Sequence, residues 1–260
     1  MPITSRLLSA SSAVCRHRPN VPRPELRLDA REAPARPVSP PFPMPEPTTV
    51  PSRVPWGGEL ELKGLSLPQA ARAVARGLGT RDVYACICGN TFGVRDQHNR
   101  MWLVKPDSTC DAEVNTPIMD DEEDLPALQS VAASVAQAGG KVDPTTGVHF
   151  HKDTEVLMPV NLLRVVANLV RHEAPLYRAL HVLPNRSAST CQPMEPRLVN
   201  AMIAARPECR EEMEDAYTEA RGGSRYRGIN LENLWDTLGT LEYRYFNGTL
   251  CGATIGHYLA

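Results

Sequence analysis

From Trp56 onward the hydrophobic positions change period repeatedly, and each change marks a predicted element. Trp56-Gly-Gly-Glu-Leu-Glu-Leu-Lys63 alternates, with Leu60 and Leu62 on one face and Glu59 and Glu61 on the other. That is the period of a half-buried strand. The next stretch has helical spacing. Ser66 is its cap, Pro68 sits in the first turn, and Leu67, Ala70, Ala71, Val74 and Leu78 form an apolar stripe. Strands are predicted over residues 83–88, 92–94, 101–107 and 113–118. A helix over 122–137 turns Leu125, Leu128, Val131, Ala132 and Val135 inward, carries acidic residues at its positive N-terminus, and stops at Gly139-Gly140. Alternation returns over 147–153, where Val148 and Phe150 oppose His149 and His151. A long amphipathic helix is expected over 160–180, kinked at Pro175, then a polar loop over 185–191. A helical region over 196–221 breaks near Pro207. The last strand signal spans 239–247, bounded by Gly239 and Asn247-Gly248, with Leu241, Tyr243 and Tyr245 on one face and Glu242 and Arg244 on the other. Strands and helices mix without strict βαβ alternation. This predicts an α+β fold, a largely antiparallel sheet with helices packed on one face.

The residues up to about Pro55 have no such period. They are dense in proline and nearly empty of aromatics, so a disordered leader is expected over 1–55 and an ordered domain over 56–260. The first twenty residues lack a continuous apolar run, which argues against a secretory signal. They bear a slight likeness to an Arg- and Ser-rich transit peptide, and a disordered leader or an over-extended start codon accounts for them equally well.

Composition narrows the function classes. A formal net charge of −2 over 260 residues with 42% hydrophobic residues excludes a strongly basic nucleic-acid binder. No apolar run approaches the roughly 20 residues that span a bilayer. The seven cysteines are scattered without paired zinc spacing, and a disulfide framework is not expected, so the compartment is read as reducing and cytoplasmic. Cys86 and Cys88, on one face of a predicted strand, read as buried free thiols.

Three strands place chemistry at i and i+2 on one face: Glu59/Glu61, His149/His151 and Glu242/Arg244. Glu113 comes from a fourth and Asp107 ends a fifth. Any one pair is most simply a solvated strand face or a weak surface ion pair. Their recurrence with the same parity points to a site wall. Carboxylates with one or two imidazoles and no thiolate suit Mg²⁺ or Mn²⁺. Arg186, Arg225, Arg227 and Arg244 make sense around phosphates, where guanidinium forks offset developing charge. Together these point to phosphoryl transfer from a nucleotide. The chain has neither GxxxxGK[ST] nor GxGxxG, so the nucleotide would be held by metals and arginines on an open sheet.

An ordered set of segments carries a resemblance. GGELELKG (57–64), WLVKPD (102–107), EVNTPI (113–118), TGVHFH (146–151), NRSASTCQP (185–193), RYRGINL (225–231) and GTLEYRYFNGTL (239–250) resemble the amidoligase family, carboxylate–amine ligases of the glutamine synthetase-like superfamily. The resemblance implies that ATP phosphorylates a substrate carboxylate, and that an amine attacks the acyl-phosphate to give an amide or peptide bond. It implies Glu59, Glu61, Glu113, His149 and Glu242 as metal ligands and Arg244 on the transferring phosphate. Arg186 and Arg225 fall to phosphate or carboxylate binding. His151 would orient its neighbour or touch nucleotide, and Asp107 would bind the incoming amine or support a ligand. Tyr226 and Asn230 read as structural. The implied cofactors are ATP and Mg²⁺ or Mn²⁺, and the implied partners a small-molecule or peptide carboxylate and an amine, with neither nucleic acid nor membrane. Family members usually continue with further helices past the last motif, so the domain is expected to be short of bracing at its C-terminus. Two other readings remain open from the residues: a non-catalytic descendant that binds nucleotide or a partner, and a metal hydrolase using His149, His151 and carboxylates.

Overall fold

The computed structural model describes residues 54–86, 89–154, 157–220, 226–235 and 238–259, with the side chains of 121–123 excepted. The leader expected over 1–55 lies outside these residues apart from its last two. The described strands are β1 (Trp56–Leu62), β2 (Val83–Ala85), β3 (Phe92–Arg95), β4 (Met101–Lys105), β5 (Ala112–Asn115), β6 (Gly147–Asp153), β7 (Ile229–Asn230) and β8 (Thr240–Asn247). They form one antiparallel sheet in the order β2-β3-β4-β5-β1-β6-β8-β7. The helices are α1 (Leu67–Gly77), α2 (Asp121–Gln137), α3 (Pro159–Arg171), α4 (Glu173–Ala179), α5 (Pro184–Ala188), α6 (Pro196–Ala205), α7 (Arg210–Ala220) and α8 (Gly252–Leu259). The fold is α+β, as the mixed periods predict.

Two apolar cores hold the sheet. In the first, Leu60, Leu62, Val104, Val114, Val148 and Phe150 pack against Ala70 and Val74 of α1, Leu128, Val131 and Val135 of α2, and Ile255 of α8. Each fully buried Leu or Val contributes about 1.5–3 kcal/mol over leaving it exposed. These strand residues are the ones the alternation turns inward, so the carboxylates and imidazoles between them are forced onto the opposite face. The Gln69 side chain accepts the N–H of Ser66 at 2.9 Å, which satisfies a donor at the start of α1. Gly77 lets α1 and α2 cross closely, since a Cβ there would lie 2.6 Å from the Val131 Cα.

The second core sits around the β7–β8 end of the sheet. Leu162 and Val166 of α3, Leu198 and Met202 of α6, and Met213 and Tyr217 of α7 enclose Ile229, Leu241 and Tyr245. Helices therefore cover one face of the central strands and also wrap this edge.

Four local expectations differ from the structure. The long helix over 160–180 is two helices that part at His172, not at Pro175. Pro175 has no N–H for the carbonyl of Arg171, and its ring crowds that carbonyl, so the break falls where the bond is missing. The polar loop over 185–191 begins with α5, whose first residue Pro184 supplies a preset helical φ. The strand over 83–88 ends at Ala85 and Cys86 is exposed, while Cys88 lies outside the described residues. Bracing of β8 is present: Tyr258 of α8 packs its ring 4.7 Å from that of Phe246, and Gln129 of α2 donates to the Gly252 carbonyl at 2.9 Å. The break near Pro207 follows the expectation, with Arg206 in the left-handed region at φ 50° closing α6. Among the described residues no helix is long and apolar enough to cross a membrane.

Candidate active site

Strand register brings the predicted residues together. Glu59 lies between Asn115 on β5 and His149 on β6, Glu61 lies opposite Glu113, and His151 lies opposite Glu242 on β8. All six acidic and imidazole side chains line one cavity of about 250 Å³, with Asp107, Lys105 and Arg244 at its walls. The floor is four adjacent strands, β5-β1-β6-β8, whose other face is the first core.

One irregularity sits beside the arginine. The pairing of β6 with β8 shifts between Val148 and Phe150, so Val148 meets Phe246 while Phe150 meets Tyr243. The single residue His149 is thus spanned by two, Arg244 and Tyr245, which is a β-bulge. Strict alternation would keep Tyr245 with Tyr243 and Leu241 on one face. Instead Phe246 stacks on Phe150 at 5.2 Å, and Tyr245 packs on Tyr177 of α4 at 5.4 Å and donates to Glu173 at 2.9 Å. Arg244 stays in the cavity wall and binds Glu242 through its NH1.

The electrostatics follow from crowding. Glu59 is desolvated by burial, yet a hydrogen bond from His149 (Nδ1 to Oε2, 3.0 Å) and the nearby His151 imidazole, its Nε2 3.3 Å from Oε1, hold its carboxyl well below the usual range. Burial would lower the His151 pKa, but Glu59 beside it raises it overall. Glu113 is pushed up, first by burial and then by the Glu59 charge, against the Lys105 ammonium 3.0 Å away. Glu242 is opposed by burial and drawn down by Arg244. Its Oε2 accepts from Asn230 at 2.7 Å and Asn233 at 2.9 Å. Glu61 accepts the Gly147 N–H at 2.6 Å and the Thr109 hydroxyl at 3.3 Å, and Thr109 also donates to Asp107 at 2.5 Å.

The donor set fits hard divalent cations. Two groups of three side chains, Glu59/His151/Glu242 and Glu61/Asp107/Glu113, each offer ligand atoms within 4.8 Å of one another. The buried Nε2 of His149 and Oδ1 of Asn115 have no hydrogen-bond partner among the described residues. His149 already presents Nδ1 to the Glu59 carboxylate, the outer partner that fixes a ligating imidazole with Nε2 left to bind. Oxygen-rich donors with one imidazole suit Mg²⁺ or Mn²⁺ over softer ions.

The structure does not gather every expected residue. Arg186 is 1% exposed and is not among the residues lining the cavity. Arg225 lies outside the described residues. Tyr226 and Asn230, read as structural, both line the cavity, and the Arg244 guanidinium carbon sits 5.9 Å from the Tyr226 ring centroid. Sequence reasoning missed Lys105, Asn115, Asn233 and Thr109. Lys105 shares the parity of Asp107 and opposes the inward Trp102 and Val104, so its face was readable. Asn115 bridges Glu59 (3.1 Å) and Glu113 (2.9 Å), a role an amide on a strand does not advertise.

Residues 53–259 match a family model described as "Putative amidoligase enzyme". No curated protein and no solved structure matches the chain.

Proposed function

We propose that this chain, which belongs to the amidoligase family, is an ATP-dependent ligase that joins a carboxylate to an amine through an acyl-phosphate, on a glutamine synthetase-like sheet. The observation that carries the reading is the convergence of two carboxylate-rich donor triads and one arginine on a single cavity floor. Family membership supplies the coarse chemistry, a carboxylate and an amine. The donors supply the finer part.

Glu59, Glu242 and His151 would hold one divalent cation and Glu61, Glu113 and Asp107 another, with His149 between the groups. Cations held there together with ATP would supply neutralisation of phosphate charge and orientation of the phosphoryl group. Arg244 would take the charge on that group, a role its guanidinium in the cavity wall beside Glu242 supports. Asn230 and Asn233 keep Glu242 oriented by two amide donors. Asp107, at the β4 side, is suited either to complete a donor triad or to accept a proton from the incoming amine. A carboxylate oxygen bonds to the γ-phosphorus as ADP leaves, and the amine then displaces phosphate with that oxygen.

A panel of amino and dicarboxylic acids incubated with ATP, Mg²⁺ and hydroxylamine tests this. The reading expects a hydroxamate and one ADP per hydroxamate. Nucleotide binding without any hydroxamate would instead favour a non-catalytic member, and amide cleavage without ATP a hydrolase.

A further inference from the structure

Arg186 is the least explained charge among the described residues. It sits on the short α5, is 1% exposed, and stands outside the cavity lining. Burial pulls its pKa down. Its NH2 donates to the Arg244 carbonyl at 2.9 Å, while its buried Nε and NH1 have no partner among the described residues. A guanidinium held this way is costly, because desolvated donors go unpaired. Burying it must therefore be offset elsewhere.

The surroundings show what it holds. Gly228 accepts the Arg244 N–H at 2.8 Å but gives its own N–H to Gln192, also at 2.8 Å. That leaves the Arg244 carbonyl, beside the bulge, without the Gly228 N–H as donor, and Arg186 fills the gap. The guanidinium also lies against Gly147 at the start of β6, where a Cβ would come within 2.6 Å of both NH1 and NH2. The N–H of that same Gly147 binds Glu61. The segment after α5 closes back on Arg186, whose carbonyl accepts from Ser189 at 3.0 Å and Cys191 at 2.8 Å. Between those two, the Thr190 carbonyl accepts the Arg244 Nε at 3.1 Å.

We infer that residues 184–191 form a two-point clamp that fixes Arg244, with Arg186 gripping its backbone and the Thr190 carbonyl its side chain. Arg186 is a positioning residue and touches no ligand. Its planar fork reaches the Arg244 carbonyl across a glycine, which leaves the cavity side of Arg244 for substrate. The clamp rests on the ligase reading only for what Arg244 does; its existence does not.

Arginine side-chain NMR of the full chain, with ¹⁵N at Nε, tests it without needing activity. In the unmodified protein the Arg244 Nε–H, bonded to Thr190, exchanges slowly with solvent. In Arg186→Met that exchange is expected to quicken at least tenfold, and Arg186→Lys, which keeps a charged donor, to restore part of the protection. Arg100, whose Nε donates to Asp96 at 2.9 Å elsewhere in the chain, is the internal control for folding. Should Arg186→Met lose the Arg100 signal as well, Gly147→Ala, which pushes the guanidinium away without removing it, gives the same readout. Unchanged Arg244 exchange in the folded variant overturns the clamp. If hydroxamate formation fails while Arg244 still loosens, the clamp stands and the ligase reading falls.

Discussion

Glu242 meets Arg244, Asn230 and Asn233, and it stands 3.5 Å from His149, so one carboxylate connects the arginine to the imidazoles. Glu242→Gln keeps the shape and most hydrogen bonds but removes the charge. Turnover should fall about a hundredfold or more, the range for deleting one preorganised charge partner. Stability should fall by about 1–3 kcal/mol, because Arg244 loses its counter-charge in a buried setting. Steady-state rates and thermal unfolding check the two arms, and full activity would remove Glu242 from the ligand set. At this scale the sequence revealed charge but not its support. The carboxylates and imidazoles stood out because each interrupts an apolar alternation with the same parity. Asn115, Asn230 and Asn233 did not, because an amide on a strand or turn reads the same whether it faces water or a carboxylate.

Strands proved more readable than their irregularities. β1 and β6 follow the alternation, with Leu60, Leu62, Val148 and Phe150 in the first core and the residues between them in the cavity. The β8 bulge is invisible in Tyr243-Arg244-Tyr245-Phe246, since all these residues suit a strand and only pairing with β6 decides which two share one partner. α5 was likewise hidden, a polar stretch that turns helical because Pro184 starts it and Arg186 anchors it. The tie between the β3–β4 turn and α2 is a further element-level prediction. Arg100 bonds Asp96 at 2.9 Å and grips Asp124 with two 2.7 Å bonds. The Arg100 hydrogen bonds hold the Asp124 carboxyl below its usual value, and those at Asp96 do the same against burial. Both folded pKa values lie below the unfolded value near 4. The stabilisation is therefore complete above about pH 4 and is lost as pH falls through the folded values. Arg100→Met should cost about 3 kcal/mol near neutral pH, since it leaves two carboxylates without their counter-charge. Its deficit relative to the unmodified protein should shrink below pH 4, which denaturant titrations at several pH values would show. A deficit that does not change with pH would contradict the paired geometry.

Across the whole molecule, one sheet separates an apolar face braced by α1, α2 and α8 from a charged face whose cavity gathers seven acidic and imidazole side chains. Clustered carboxylates destabilise a fold that lacks their cation, so Mg²⁺ should act as a stabiliser. At a concentration a hundred times its dissociation constant it would add about 2.7 kcal/mol. Thermal unfolding with Mg²⁺ against chelator checks this, and the gain should shrink in Glu59→Gln, which leaves the Glu61/Asp107/Glu113 group intact. The architecture was legible in the sequence because hydrophobic period fixes which face is buried. The second core was less so, since the parting of α3 from α4 and the wrapping of the β7–β8 edge depend on packing between distant segments. The central claim is that a carboxylate oxygen passes to phosphate. Using any acid that yields a hydroxamate, labelled with ¹⁸O in its carboxylate, mass spectrometry of the released phosphate tests it most directly. One ¹⁸O atom per phosphate is the predicted result; phosphate without label would contradict the acyl-phosphate route.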